Sequence, residues 1–480
     1  MKFHLLIAFL LVTVPGRLCS QGQEEHRAAS KVSEKRLLSD VRSLVRAGNR
    51  WGGTASGKRS AAYVEAQFRA AGLDVTVEHD PSRLVFEHQG WSLQVVEPRR
   101  LRKLIRHEWL SGFSPTAGPE TVRLRYLGHP DKGSAFDSCA VLTGSFVSRS
   151  MYNDLVAAGA RCILSYAPAD SGSYPDWAMI TQLPATDQNK IPCFNLSYNN
   201  GRRLREEIEQ GTDVRIRFTS KSRTGHGEPQ TVIGTLKGKE SNALIVCAHG
   251  DSDSGGPGAD DNASGVAGVL EVARVLSSMV RSGSLPVPQH SIRFIVWGAE
   301  YYSSEQYVRR HQDSLSEIRG VLNYDEIGTG ASRNCLYFES NDVPHNVPMM
   351  KVLNAVGEEY AGKRGFWQEA TTNPSQGGTD SYVFLPDYLK RIGLPAYKIP
   401  SVTIYTAAWS TPKALKQTEG WTSTAWKGPR DSVIVDYSRY YHSSLDTPQR
   451  TTEREPWNMV WGAKAVVIAL VRLAWDHTSE

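Results

Sequence analysis

From Thr231 onward the chain changes texture: short, wholly apolar runs alternate with helical stretches, and this alternation restricts the fold more than any other feature. Ala243 to Cys247, Ile292 to Trp297 and Gly320 to Tyr324 read as strands. Ser264 to Val280 reads as a helix with Val266, Val269, Leu270, Ala273 and Leu276 on one face. Strands that are apolar on both faces belong to a buried, mostly parallel sheet. With helices between them, they predict an α/β sandwich with right-handed crossovers. Ligands of such sheets gather beyond the carboxyl ends of the strands, so polar residues just after a strand carry the functional argument.

The preceding half is organised differently. A polar stretch, Gln21 to Lys35, is followed by a helical pattern opened by Ser60, with Val64, Phe68 and Ala71 in register, closed by Gly72 and followed by the strand Val75 to Val77. Between 112 and 222 a more compact series appears: strands at Cys139 to Leu142, Cys162 to Leu164 and from Ile191, with helices at Arg149 to Ala158 and Gly201 to Glu209. This predicts a small α+β unit inserted into a larger domain, giving segments 1–20, 21–111, 112–222 and 223–480. The unit contains a glycosylation sequon, Asn195-Leu196-Ser197. A hydrophobic content of 40% excludes a disordered chain, and no repeat of fixed period points to a solenoid or propeller.

Lys2, the apolar run Leu5 to Val14 and the exit Cys19-Ser20-Gln21 read as a secretory signal peptide removed after Ser20, which implies a secreted, periplasmic or extracellular protein. No later segment is read as a membrane span, since Lys464 and Arg472 interrupt the best candidate, Val460 to Trp475. Cys139, Cys162, Cys193, Cys247 and Cys335 include no C-x-x-C pair, which excludes zinc knuckles and thioredoxin chemistry. One or two disulfides are compatible with an oxidising compartment. The net charge of +5 comes from scattered residues without a basic block, which argues against nucleic-acid binding.

Gly52 to Ser60 nearly spells a phosphate-binding loop, but Arg59 stands where the magnesium-binding hydroxyl belongs and no apolar strand precedes it. No G-x-S-x-G, H-E-x-x-H or G-x-G-x-x-G occurs. What does occur is a set of strand-end polar residues: His249 and Asp251 after the first long strand, Asp261 in Gly258-Ala259-Asp260-Asp261-Asn262-Ala263-Ser264-Gly265, Glu300 after the second, Asp325 after the third, and His442 near the end. Each alone is ordinarily a cap or a turn former. Together, two histidines and two carboxylates, His249, Asp261, Asp325 and His442, make an N/O ligand set suited to zinc. A carboxylate bridging two cations about 3.5–4 Å apart clamps a water that becomes nucleophilic near neutral pH. A nearby carboxylate that binds no metal can accept its proton, and Asp251, two residues from His249, is placed to orient that imidazole.

These motifs, together with Lys35 to Val77 and Asp380 in Gly377-Gly378-Thr379-Asp380-Ser381, resemble the secreted zinc exopeptidases of the aminopeptidase Y type. These are metallopeptidases of the MH clan, related to glutaminyl cyclase, glutamate carboxypeptidase and the transferrin receptor. Ala157-Ala158-Gly159-Ala160 and Ile191-Pro192 resemble a protease-associated insertion, which would restrict access to short peptides. The resemblance implies His249 and Asp325 as ligands of one zinc, Asp261 as the bridge, His442 as a ligand of a second, Glu300 as general base, and a cis peptide at Asp261-Asn262. One position departs: Tyr301 stands where the family has a second-zinc glutamate, and a phenol with pKa near about 10 is a poor ligand. The metal count is therefore one or two, with Glu305 an alternative ligand for the second that nothing in the sequence positions. The aromatic stretch from Trp409 to Tyr441 is read either as a pocket wall or as loop packing. The implied activity is that of an aminopeptidase. The alternatives are a non-catalytic receptor-like homologue and a single-zinc glutaminyl cyclase. Side-chain preference, direction and oligomeric state are left open.

Overall fold

The computed structural model describes residues 15–128, 136–166, 176–252, 255–330, 335–340, 344–373, 379–406 and 440–475. Among the described residues, fifteen strands and ten α-helices are numbered in chain order. The main sheet contains β1 (Asp74–His79), β9 (Gln230–Leu236), β10 (Glu240–His249), β11 (His290–Trp297), β12 (Ile318–Tyr324), β13 (Cys335–Glu339), β14 (Glu369–Asn373) and β15 (Ser401–Tyr405). Their spatial order is β1-β9-β11-β10-β12-β15-β13-β14. At the centre β10 runs parallel to both β11 and β12, and β12 parallel to β15, as the continuous apolar runs require.

Both faces of this sheet are covered. Leu244, Val246 and Ala248 of β10 join a core built with α2 (Glu34–Arg46), α3 (Ala55–Ala70), α6 (Gly265–Arg281), α8 (Val347–Tyr360) and α10 (Trp457–Ala474). The alternate residues Ile245 and Cys247 face a second core with α7 (Tyr302–Arg310) and α9 (Pro386–Arg391). The period of two along β10 thus sorts side chains onto two helical layers. α3 is capped by Thr54, whose side chain accepts from Gly57 N–H, so the glycine-rich stretch is a helix start without a preceding strand.

The second sheet has the order β2-β8-β4-β5-β6-β7-β3. It is built from β2 (Arg83–Glu97), β3 (Trp109–Leu110), β4 (Ala117–Tyr126), β5 (Cys139–Thr143), β6 (Cys162–Tyr166), β7 (Cys193–Leu196) and β8 (Arg215–Gly227), with α4 (Arg149–Ala157) and α5 (Tyr198–Glu209). The unit expected over 112–222 therefore takes in β2 and β3 and runs from 83 to 227, because β2 pairs antiparallel with β8 from Arg83↔Gly227 to Glu97↔Arg215. It leaves and re-enters the main sheet between β1 and β9, which are themselves paired from Asp74↔Thr235 to His79↔Gln230. At this crossing Gly53 and Gly227 touch; a Cβ on Gly227 would lie 2.2 Å from the Gly53 carbonyl oxygen.

Several local expectations change. The polar stretch after position 20 lies largely in a helix, α1 (Pro15–Ser30), in which Ala28, Ala29 and Glu25 are buried. Glu25 accepts from Arg472 and Tyr360, so a helix that is polar in composition is fixed by a partly buried charge pair. Residues 1–14 of the expected signal segment lie outside the described residues. The five cysteines from 139 onward are buried and free, with no disulfide. Asn195 of the sequon is buried in β7, donating to Ser111 Oγ and accepting from Thr181 Oγ1, so it is no surface acceptor. Among the described residues two helices, Ala259–Arg281 and Trp457–Ala474, are long and apolar enough to cross a membrane by length and composition. The apolar windows of these helices are 83% and 72% buried, as in core helices.

Candidate metal centre

Three adjacent parallel strands, β11, β10 and β12, end at one rim, and the polar residues predicted there follow directly. His249 is the last residue of β10, Glu300 follows the end of β11, and Asp325 follows β12. Asp261 arrives from the irregular turn Ala259–Ser264 that leads into α6. The turn contains the expected cis peptide, Asp261-Asn262. Ligand atoms of His249, Asp261 and Asp325 all lie within 4.8 Å of one another.

Asp261 lies between the two histidines. Its Oδ1 is 3.3 Å from His249 Nε2, and its Oδ2 is 3.0 Å from His442 Nε2. Asp325 Oδ1 is 3.5 Å from His249 Nε2 and, although buried, has no hydrogen-bond partner. Nδ1 of His249 lies 3.2 Å from both the backbone oxygen and Oδ1 of Asp251, leaving Nε2 for the centre of the cluster. Asp251 Oδ1 also accepts from the Glu300 N–H at 3.0 Å, so one carboxylate fixes both the imidazole and the backbone of the expected base.

The electrostatics fit a cation. Burial would lower the His249 imidazolium pKa, yet Glu300, Asp251, Asp261 and Asp325 together hold it well above the ordinary value. Burial also pushes the Glu300 carboxyl well above its usual range, reinforced by Asp325, Asp380 and Asp261 although His249 opposes it. So many buried carboxylates around one imidazole is a charge excess that a divalent ion neutralises. The N/O donors and the orphan Asp325 oxygen suit zinc as a tetrahedral ion with an open position.

Tyr301 brings no carboxylate to this rim. Its backbone N–H donates to Asp380 Oδ1 at 2.9 Å, its φ is 55°, and its ring packs against the core beneath α7 and α9. Glu305 does not replace it. Its Oε1 accepts from Arg309 and its Oε2 from Tyr388. Trp409, Trp421, Trp426 and Tyr437 of the aromatic stretch lie outside the described residues. Tyr440 is buried against Trp177 with ring centroids 5.1 Å apart, and Tyr441 stacks on His442 at 3.5 Å.

Two supports were not singled out from sequence. Asp446 accepts through Oδ1 from Asp260 N–H (2.8 Å) and through Oδ2 from Asp261 N–H (3.0 Å), while its backbone oxygen accepts from Ala259 N–H. Burial beside Asp260 and Asp261 raises its pKa. Arg50, fully buried, donates to the carbonyls of Gly250, Pro257 and Gly258. Burial lowers its pKa to about 10, with Asp446, Asp251 and Asp261 opposing the shift. Gly258 has φ +58°, and a Cβ there would lie 2.4 Å from Asp261 O, so the turn needs glycine.

The fold and this geometry define a class: an α/β protein with a candidate metal centre at the carboxyl rim of its sheet. Residues 231–467 match the family model described as Peptidase family M28. An aminopeptidase of Pseudomonas aeruginosa is 26% identical over 336 residues, covering 65% of this chain and 60% of its own length. A probable lipoprotein aminopeptidase LpqL of Mycobacterium tuberculosis is 29% identical over 276 residues, covering 56% of this chain and 50% of its own length. The chain thus spans about 60% or less of the length of these relatives. Among solved structures, an M28 peptidase precursor from Shewanella amazonensis superposes with a TM-score of 0.65 at 16% identity, covering 96% of this chain and 98% of that one. A zinc aminopeptidase from Bacillus subtilis gives 0.60 at 21% identity, covering 94% and 97%. At these identities the likeness is one of fold.

Proposed function

We propose that the protein is a secreted, zinc-dependent aminopeptidase acting on short peptides. The observation that carries this reading is the Asp261 carboxylate, with one oxygen toward His249 and the other toward His442, the arrangement of a ligand shared by two metal positions. His249, Asp261 and Asp325 would hold the tighter ion, and His442 with Asp261 the second. Zinc bound there supplies Lewis acidity to a water and to the scissile carbonyl. The chain's own residues do the rest. Asp251 holds the His249 ring and, through the Glu300 N–H, the base. Glu300, whose carboxyl burial pushes well above the usual carboxylate range, is suited to take a proton from the attacking water and return it to the leaving amine. The names of the aminopeptidase relatives support a peptide substrate. The inserted unit is a protease-associated domain in this reading, limiting access to the rim.

Glu300→Ala is expected to lower kcat on aminoacyl anilides by about 10²–10⁴-fold with the zinc content unchanged. Loss of zinc along with activity would assign Glu300 to the metal instead. Tyr301 favours a second reading, a non-catalytic binding homologue, because it removes a carboxylate from the second position. Purified protein that carried no zinc and cleaved no anilide would establish it.

A further inference from the structure

His442 is held in an unfavourable backbone conformation by a segment that belongs to the other sheet. Its φ is 45°, in the left-handed region that a residue with a Cβ adopts only when its surroundings enforce it. The enforcing contacts come from Trp177 to Ile180, in the connection between β6 and β7. The Ile180 N–H donates to the His442 carbonyl at 2.6 Å, Met179 pairs antiparallel with Ser443, and Trp177 packs on Tyr440 at 5.1 Å. This strap is anchored within the second unit. Gly112 N–H donates to the Thr181 carbonyl and Leu183 N–H to the Gly112 carbonyl, both at 2.9 Å, and Ala178 N–H donates to the His107 carbonyl at 3.2 Å. Among the described residues, His249, Asp261 and Asp325 receive no such contact from the strap; Asp446 and Arg50 brace the Asp261 turn from within the main fold.

We infer that the Trp177 to Ile180 strap of the inserted unit is a positioning element for His442, so that the second metal position is completed only when the inserted unit is docked, whereas the His249, Asp261 and Asp325 position forms without it. Trp177 and Ile180 are positioning residues, since they act on the cation through the His442 backbone. The inference rests on His442 being a metal ligand. It departs from a lid role, because a lid alters access to the rim and leaves the affinity of the ions unchanged.

The test is a zinc-binding isotherm of the full chain, recorded over graded free zinc, for the native protein, His442→Ala, Trp177→Ala, Trp177→Phe and Ile180→Pro. Melting of each metal-free protein serves as the fold check. The expected result is that Trp177→Ala and Ile180→Pro shift toward the His442→Ala isotherm, losing ten-fold or more in affinity at the weaker position while keeping the tighter one. Trp177→Phe, which retains a ring against Tyr440, restores the native curve. Native-like isotherms for both Trp177→Ala and Ile180→Pro would overturn the inference and leave the zinc reading standing. An isotherm unchanged by His442→Ala would overturn it by removing His442 from the ligands, and native protein that binds no zinc would overturn the functional reading with it.

Discussion

Asp446 is the clearest case of a residue whose work is invisible in its neighbours. Its two oxygens accept from adjacent backbone N–H groups of the turn that carries Asp261, which fixes the direction of the Asp261 side chain. Asp446→Asn keeps the size but presents an amide donor to one of those N–H groups. We expect zinc affinity to fall roughly 10–100-fold with the fold intact, as for other groups that orient ligands, measured by competition with a chromogenic chelator. Unchanged affinity would mean the turn holds itself. The candidate ligands His249 and Asp325 were legible in sequence because each follows an apolar strand, and Asp261 because it stands just before a helix, whereas His442 sits in a turn with no such neighbour. Asp446 and Arg50 were not legible, because their bonds to the turn span 185 to 208 residues and leave no periodic trace. Tyr301 was legible as a departure; that its N–H would instead be taken by Asp380 was not.

Among the elements, those with a one-sided or wholly apolar pattern were read nearly to their ends, as with α6 and β11. Those fixed by polar contacts were missed. β2 alternates buried, half-buried and exposed residues over 15 positions, so its pairing with β8 gives no strong apolar signal. α5 shows what such polar fixing contributes. Glu207 is buried on this helix and accepts from Arg100 (2.5 and 2.6 Å), Arg203 and Thr212. The hydrogen bonds from Arg100 lower its pKa to about 2, with burial opposing and Thr212 and Arg203 adding to the shift. A depressed carboxylate stabilises the fold fully above its ordinary value of 4.5, and this contribution is lost as pH falls toward about 2. Glu207→Gln is therefore expected to melt earlier than the native protein at pH 7, with the gap closing between about pH 5 and pH 2. A gap that stayed constant with pH would show that packing, and not charge, holds α5 to the Arg99–Leu101 turn.

For the molecule as a whole, the main core of apolar side chains from α2, α3, α6, α8 and α10 forms without reference to the rim, since the ligands lie beyond the strand ends. The metal-free protein should therefore stay folded. Zinc at about 1,000 times its dissociation constant stabilises a protein that binds it only when folded by about 4 kcal/mol. Chelation with EDTA is expected to lower Tm reversibly while the far-ultraviolet circular dichroism below Tm is unchanged; loss of that signal on chelation would make the ion a folding element. The α/β class was readable at this scale, because it is written in the order of elements. The point of insertion was not, because it depends on β1 and β9 recognising each other across 150 intervening residues.

That pairing has a further consequence. His79 and Gln230 stand opposite each other at the point where the chain departs for the second sheet. A gene from which the intervening codons were excised would need only a tight turn to reconnect its ends. The main sheet thus closes its own β1–β9 pairing without any strand of the second sheet. A shortened descendant would keep its strands in order and would have to find another brace for His442.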